Sequence, residues 1–322
     1  VLKSEELREK LLQAPDVPSI RRLLDAPEKA GARRKARPLS QLLLSYARKI
    51  GRERGVNAII VRLESTEDLA LLKRVPGRRS FIVATRSRRT LEEAQGVVDK
   101  TLLLPQMPFR REASVRLTAL MALTHGLIER GDVVAFLSGD EAGGLDSLRI
   151  IEIGREFGRF VTSSGEMSPG VLPGVLERVI SLATELSAEG REGRPVGTIF
   201  VVGETDGLGP LCQQMVMNPF RGYPEEERNI LDPTLAETIK EFAAIDGAFV
   251  LRGDGVMMSA GTYLKASRET SLPGGYGSRH RAACGITDLT NCIAVALSQS
   301  TGEVTMFRRG TVILSLPRSG SK

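Results

Sequence analysis

The segment GSRHRAA (277–283) carries residue types that can bind an anion. His280 is one of two histidines in the chain, and it lies between Arg279 and Arg281. Two neighbouring guanidinium groups suppress protonation of an imidazole, so we predict a neutral histidine that faces an anionic ligand. The two arginines can fork onto phosphate oxygens, and Ser278 can donate one more hydrogen bond.

The same segment opens a predicted helix over residues 281–292. Free N–H groups and the helix dipole favour an anion at the N-terminus of such a helix. Gly274, Gly275 and Gly277 allow the preceding loop to fold close to that ligand. A triphosphate fits this arrangement better than a carboxylate, because several donors converge on one place.

A second motif, IDGAFV (245–250), places Asp246 at the mouth of an apolar strand. We expect Gly247 and Ala248 to leave room for a ligand to approach the backbone. An aspartate at this position suits metal binding or activation of a hydroxyl group. Taken alone, Asp246 is more simply a turn residue, but the Arg-His-Arg segment favours a catalytic role. His125, on a predicted helix over 112–129, is interpreted as a capping or partly buried residue.

Helices and apolar strands alternate in the first half of the chain. An amphipathic helix around residues 42–50 precedes the strand VNAIIVRL (56–63). Further helices are predicted at 66–74, 90–97 and 112–129, and further strands at 80–85, 100–105, 132–139 and 148–154. This order predicts a three-layer α/β domain with a mainly parallel sheet, over residues 38–165. The Ser-, Gly- and Pro-rich segment 162–170 marks its end.

The second half shows more antiparallel character. A helix at 172–188, a strand at 197–203 and a helix at about 234–244 are followed by short β segments. The dipeptide Asp254-Gly255 between two of these segments is a good hairpin-turn signal. We therefore predict a mixed-sheet α/β domain over residues 170–318.

The charge balance of +6 is concentrated in two arginine-rich clusters, at residues 33–37 and 78–89. No aromatic residues interleave with them, so a solvated surface explains them more simply than a polyanion site. Residues 1–37 are predicted to be a basic extension with a short helix and a loose linker. A nucleic-acid partner is not expected, although retention on DNA through residues 1–37 stays an alternative.

The sequence shows no run of 18 apolar residues and no signal peptide at its N-terminus, so no membrane association is expected. Its three cysteines, Cys212, Cys284 and Cys292, lack the spacing of a disulfide framework or a zinc site. A reducing cytoplasm is the simplest expectation for the location of the protein.

Taken together, the motifs closely resemble those of the diadenylate cyclase family. Its DGA and G-T/S-R-H-R motifs have counterparts at 246–248 and 277–281, and SAGTYL (259–264) and VALSQSTGEV (295–304) also look like family segments. The segment NPFRGYPEEERNI (218–230) most resembles the archaeal-type members. In those, a domain similar to the C-terminal domain of pyruvate kinase precedes the cyclase domain, and the element order of the first half is compatible with it.

The resemblance implies condensation of two ATP into cyclic di-AMP and two pyrophosphates, with Mn²⁺ or Mg²⁺ as cofactor. Asp246 would activate the attacking 3′-hydroxyl as a general base or as a metal ligand, and His280 would contact phosphate or the metal. The implied adenine-pocket residues are Tyr263 and Leu264. The implied ATP- and phosphate-binding residues are Gly247, Ala248, Gly277, Ser278, Arg279, His280, Arg281 and Ser298. Gln299 departs from the carboxylate that many relatives carry, and this difference bears on metal preference.

The symmetry of cyclic di-AMP requires two ATP sites that face each other, so a homo-oligomer with two-fold related cyclase domains is expected. A non-catalytic sensor of ATP or cyclic di-AMP, in which the first domain regulates or reports, stays an alternative. The presence of Asp246 argues against it, because binding alone needs the arginines more than a hydroxyl activator.

Overall fold

Two β-sheets organise the protein in a computed structural model, which describes residues 32–53, 55–64, 66–77, 80–105, 111–139, 144–153, 170–265, 272 and 275–317. The chain segments 1–31 and 162–169, and with them most of the basic extension and of the expected domain boundary, lie outside the described residues. Gly274 lies outside them as well.

The first sheet consists of strands that the apolar runs of the sequence predict. They are β1 (Ala58–Arg62), β2 (Phe81–Thr85), β3 (Lys100–Leu103), β4 (Val133–Ser138) and β5 (Ser147–Glu152). Their order is β3-β2-β1-β4-β5; neighbours among the first four pair in parallel, and β5 pairs antiparallel to β4. Alternate side chains of these strands point to opposite faces, and both faces are buried.

Helices cover both faces of this sheet. The helices α1 (Ala32–Glu53), α2 (Thr66–Leu72) and α3 (Arg88–Gln95) pack on the face that carries Val61 and Val83. The helix α4 (Arg111–Thr124) packs on the opposite face, which carries Ile60 and Ile82. The prediction of a three-layer α/β domain with a mainly parallel sheet is therefore confirmed.

The second sheet is mixed, as predicted. Its strands are β6 (Ile199–Gly203), β7 (Cys212–Gln214), β8 (Ala248–Arg252), β9 (Met257–Leu264), β10 (Ile293–Leu297), β11 (Val304–Arg308) and β12 (Thr311–Leu316). They lie in the order β12-β11-β10-β6-β8-β9-β7, and only β6 and β8 are parallel neighbours among the described pairs. The predicted turn at Asp254-Gly255 connects β8 and β9, with Gly255 at a φ of 98°.

In the described part of the second domain, three α-helices accompany the sheet: α5 (Pro173–Glu189), α6 (Ala236–Phe242) and α7 (Ser278–Leu289). Residues of α7 share a buried cluster with one face of the sheet, and α5 and α6 contribute to the cluster on the other face. The two faces therefore have separate cores, and α7 alone of these helices covers the face on which the predicted motifs lie.

Helix α4 joins the two domains. Its residues are buried nearly all round, and it contacts both α5 and β12 of the second domain. One apolar core cluster consequently runs from the first sheet through α4 into the second domain. Just beyond this helix, His125 hydrogen-bonds the carboxylate of Glu177 on α5, and this bond raises the pKa of His125 above its ordinary value.

Several predicted helix ends differ from those in the structure. The expected loose linker is helical from Ala32, because the Ala-, Arg- and Lys-rich segment before Pro38 consists of good helix formers. The predicted helix 112–129 ends at Thr124, before Gly126, whose φ is 63°. Helix α7 begins at Ser278 rather than at residue 281 and ends at Leu289, so Cys292 lies beyond it.

Candidate active site

An ion pair joins the two motifs that the sequence singled out. Helix α7 is capped by Gly277, and its second residue, Arg279, directs Nη2 to Oδ1 of Asp246 at a distance of 2.7 Å. Asp246 precedes β8, and its side chain is 79% exposed. The carboxylate and the guanidinium therefore share one open site, with a helix N-terminus beside them.

Arg279 is held by a second contact that sequence reasoning did not find. Its Nη1 donates to Oε1 of Gln299 at 3.3 Å, and Nε2 of Gln299 donates to the carbonyl oxygen of Pro195 at 3.2 Å. A Cβ on Gly197 would lie 2.8 Å from Cβ of Gln299 and 2.9 Å from Nη1 of Arg279. The absence of a side chain at Gly197 therefore gives both residues their space.

His280 is buried rather than open to the site. Its ring lies 5.1 Å from that of Tyr276 and 6.0 Å from that of Phe307, measured between centroids, and Nε2 has no hydrogen-bond partner among the described residues. Burial lowers the pKa of His280, although the charge of Glu303 opposes this effect. The predicted neutral histidine therefore agrees with the direction of the shift, but burial is its cause, and the neighbouring guanidiniums are not.

Gly247 makes room for the backbone of a neighbouring strand. Its φ is 118°, and a Cβ there would lie 2.6 Å from the carbonyl carbon of Gly261 and 2.7 Å from the amide nitrogen of Thr262. The next residue, Ala248, is buried in the core under α7. The space that a side chain would take at Gly247 is thus filled by β9, and binding of ATP at Gly247 and Ala248 stays a prediction.

The remaining residues of the α7 N-terminus lie where a phosphate could reach them. Gly277 and Ser278 are exposed, and a Cβ on Gly277 would meet no atom of the described residues within 4 Å. Arg281 is also exposed, and its Nε lies 3.4 Å from the carbonyl oxygen of Tyr276. Ser298, at the end of β10, is half-buried, and its hydroxyl lies 3.3 Å from that of Ser300.

The two residues expected to line an adenine pocket point in different directions. Leu264 is buried in the cluster beneath α7, whereas Tyr263 is 53% exposed. Adjacent residues of a strand face opposite sides of the sheet. The side chains of Tyr263 and Leu264 therefore lie on opposite faces of β9, and their role in an adenine pocket stays a prediction.

The site offers few metal ligands of its own. Among the described residues, no group of three His, Cys, Asp or Glu side chains could hold a metal ion. A single exposed carboxylate, that of Asp246, nevertheless fits Mg²⁺ or Mn²⁺, because such ions are commonly bound by one or two carboxylates together with substrate phosphates. The buried ring of His280 fits this role poorly.

Two family models match the chain. The one described as DisA bacterial checkpoint controller nucleotide-binding matches residues 185–312, and the probable sensor domain DacZ_P matches residues 39–161. Within the part of the chain that the structure describes, no helix is both long and apolar enough to cross a membrane.

Curated relatives and a solved structure are also similar. A diadenylate cyclase of Methanocaldococcus jannaschii is 42% identical over 43% of this chain and 44% of its own length. A diadenylate cyclase of Haloferax volcanii is 35% identical over 61% of this chain and 71% of its own length. A pyruvate kinase of Cryptosporidium parvum aligns over 44% of this chain and 27% of its own, at 16% identity and a TM-score of 0.31. The match to most of the Haloferax protein, together with the two joined motifs, shows that the chain belongs to the diadenylate cyclase family.

Proposed function

We propose that the protein condenses two ATP into cyclic di-AMP and two pyrophosphates. The observation that supports this most directly is the Arg279–Asp246 ion pair, because it brings a hydroxyl activator and a phosphate binder to one open site. In each half-reaction the 3′-oxygen of one ATP forms a bond to the α-phosphorus of the other. The bond from that phosphorus to the bridging oxygen breaks, and pyrophosphate leaves.

Asp246 takes the proton of the attacking 3′-hydroxyl in this proposal. In the ligand-free site its carboxylate is paired with Arg279, and triphosphate oxygens would compete for the same guanidinium. Binding of ATP would draw Arg279 towards the phosphates and release Asp246 for its role. Arg281, Ser278 and the α7 N-terminus would neutralise the charge that develops on the leaving pyrophosphate.

A divalent metal, Mn²⁺ or Mg²⁺, would supply charge neutralisation at the phosphates, with Asp246 as its protein ligand. His280 would support the site from below, because its buried neutral ring packs between Tyr276 and Phe307. We assign it to positioning of the α7 first turn rather than to direct metal binding.

The test is incubation with ATP and Mn²⁺ or Mg²⁺, followed by mass analysis of the nucleotide product. Asp246→Asn should abolish formation of cyclic di-AMP while ATP binding persists. Asp132→Asn is the matched control, since that carboxylate accepts a hydrogen bond from the backbone of Glu129 in the first domain. A wild-type protein that binds ATP without turnover would favour the sensor alternative, and full turnover by Asp246→Asn would refute the role of Asp246.

The catalytic unit in this proposal is a pair of cyclase domains related by a two-fold axis. Each half of the product supplies one nucleophile and one electrophile, so one ATP site in a chain cannot form both bonds. Specific activity should fall steeply as the enzyme is diluted. Activity that stays constant down to concentrations at which sizing shows a monomer would contradict this assembly. A cytoplasmic location remains part of the proposal.

A further inference from the structure

Two buried polar atoms under α7 have no hydrogen-bond partner among the described residues. They are Nε2 of His280 and the hydroxyl oxygen Oγ1 of Thr305. His280 is 5% exposed and Thr305 is 0% exposed, so bulk water does not satisfy either atom. Buried polar groups are nearly always hydrogen-bonded, and an unsatisfied one requires an explanation.

Thr305 faces α7 together with its neighbours at every second position of β11. Successive residues of a strand point to opposite faces of the sheet, so Thr305 and Phe307 share a face. Phe307 belongs to the buried cluster under α7, as does Ala296, which lies opposite Thr305 on β10. Glu303 continues the same row before β11 begins, because its carbonyl oxygen accepts from the amide of Ser298 at 2.9 Å.

The ring of His280 lies over the middle of this row. Its centroid is 6.0 Å from that of Phe307 at one end. At the other end, the charge of Glu303 acts to raise the pKa of His280 against the effect of burial, so this carboxylate also lies near the ring. Thr305 lies between these two residues on β11. Its hydroxyl and Nε2 of His280 therefore face the same space between α7 and the sheet, without a direct hydrogen bond to each other.

We propose that one buried water molecule bridges Nε2 of His280 and Oγ1 of Thr305, and that Thr305 is thereby a positioning residue for the first turn of α7. A buried water typically makes about three hydrogen bonds to groups that would otherwise be unsatisfied. The small side chain of Ala296, opposite Thr305, takes little of the space between them. The carboxylate of Glu303, of which Oε1 accepts from the hydroxyl of Ser315, is the nearby group for a third bond.

Such a bridge fixes the ring of His280, and with it the backbone that carries Arg279 and Arg281. The hydrogen bond made by one ring nitrogen of a neutral histidine selects the tautomer. The ring of Tyr276 packs against the same imidazole at 5.1 Å between centroids, so packing and a hydrogen bond hold it together. The effect on ATP rests on the proposed function, whereas the water site itself does not.

The test combines a crystal structure of the full chain, at a resolution that shows ordered water, with NMR of ¹⁵N-labelled histidine. A His125→Gln background leaves His280 as the one labelled ring. The wild-type structure should show a water within hydrogen-bond distance of both atoms. Thr305→Val should lose this water and shift the ¹⁵N signal of Nε2, whereas Thr305→Ser, which keeps the hydroxyl, should retain both. Thr184→Val is the matched control, since Thr184 is also buried but donates to the carbonyl oxygen of Ser181 on α5.

The positioning role is tested by equilibrium binding of ATP, with a chelator present so that no metal-dependent turnover intervenes. Thr305→Val should weaken binding by about fivefold, as for the loss of one hydrogen bond, and Thr305→Ser should restore the wild-type affinity.

Three results would overturn the proposal: no water between the two atoms, a Nε2 signal that Thr305→Val does not move more than Thr184→Val does, or unchanged affinity for ATP in Thr305→Val. If the wild type binds no ATP, the proposed function fails, while the crystal structure and the Nε2 signal still decide the water site. If Thr305→Val does not fold, the wild-type and Thr305→Ser structures decide it.

Discussion

Substitution of Gly247 by alanine should destabilise the fold even in the absence of a ligand. A non-glycine residue at a φ of 118° occupies a sparsely populated backbone region, which costs about 1–3 kcal/mol. The new Cβ would also lie 2.6–2.8 Å from backbone atoms of Gly261 and Thr262, and overpacking of this kind costs a further ~1–3 kcal/mol. The expected loss is therefore about 2–6 kcal/mol, a large fraction of the stability of an ordinary domain.

The assay is urea denaturation of the full chain, monitored by circular dichroism. With a slope of about 2 kcal/mol per molar, the expected loss lowers the unfolding midpoint by roughly 1 M or more. Gly207→Ala is the matched control, because a Cβ at Gly207 meets no atom within 4 Å and its φ is not left-handed. The free energy of unfolding of that variant should lie within about 0.5 kcal/mol of the wild-type value.

Comparison of Gly247→Ala with Gly207→Ala distinguishes two explanations of the glycine in the DGA motif. If the glycine is required because a ligand approaches the backbone, Gly247→Ala should fold with normal stability and lose only affinity for ATP. If the glycine is required because β9 lies against it, the variant should be destabilised in the absence of any ligand. Equal unfolding midpoints for Gly247→Ala and Gly207→Ala would refute the packing argument.

Two further predictions concern the surroundings of Arg279. Burial keeps the pKa of His280 below its ordinary value. As the pH falls below about 6.5, His280 is therefore protonated in the unfolded chain before it is protonated in the folded chain, and the free energy of unfolding decreases. Urea denaturation should therefore show that wild type loses more stability between pH 7 and pH 5 than His280→Phe does; parallel losses would contradict this. Gln299→Leu removes one hydrogen bond to Arg279, and if the protein acts on ATP as proposed, steady-state kinetics should show KM for ATP raised by roughly twofold to tenfold. An unchanged KM would mean that Gln299 does not position Arg279.

Most of the fold could be predicted because apolar periodicity reports burial directly. The strands β1, β2 and β4 are apolar runs buried on both faces, and the sequence shows them clearly. The edge strand β7 (Cys212–Gln214) was missed, because its residues have neither alternation nor strong β-propensity, and pairing with β9 alone defines it. Likewise, the burial of His280 depends on Phe307 from a strand distant in sequence.

The candidate site was predictable where charge and motif marked it, and unpredictable where neutral residues complete it. Asp246 and Arg279 are oppositely charged residues within recognisable motifs, so the sequence marks them as site residues. Gly197 and Gln299 are neutral, and nothing in the sequence indicates that they contact Arg279. The contact between Gly197 and Gln299 follows from the sheet register. Ile199 of β6 lies opposite Ala296 of the antiparallel strand β10. The residues that precede β6 therefore lie against those that follow β10. Helix α7 covers the same face of the second sheet, so Arg279 in its first turn lies next to Gly197 and Gln299. The second contact of Arg279 is thus a consequence of strand pairing, and it could be derived only once the order of the strands was known.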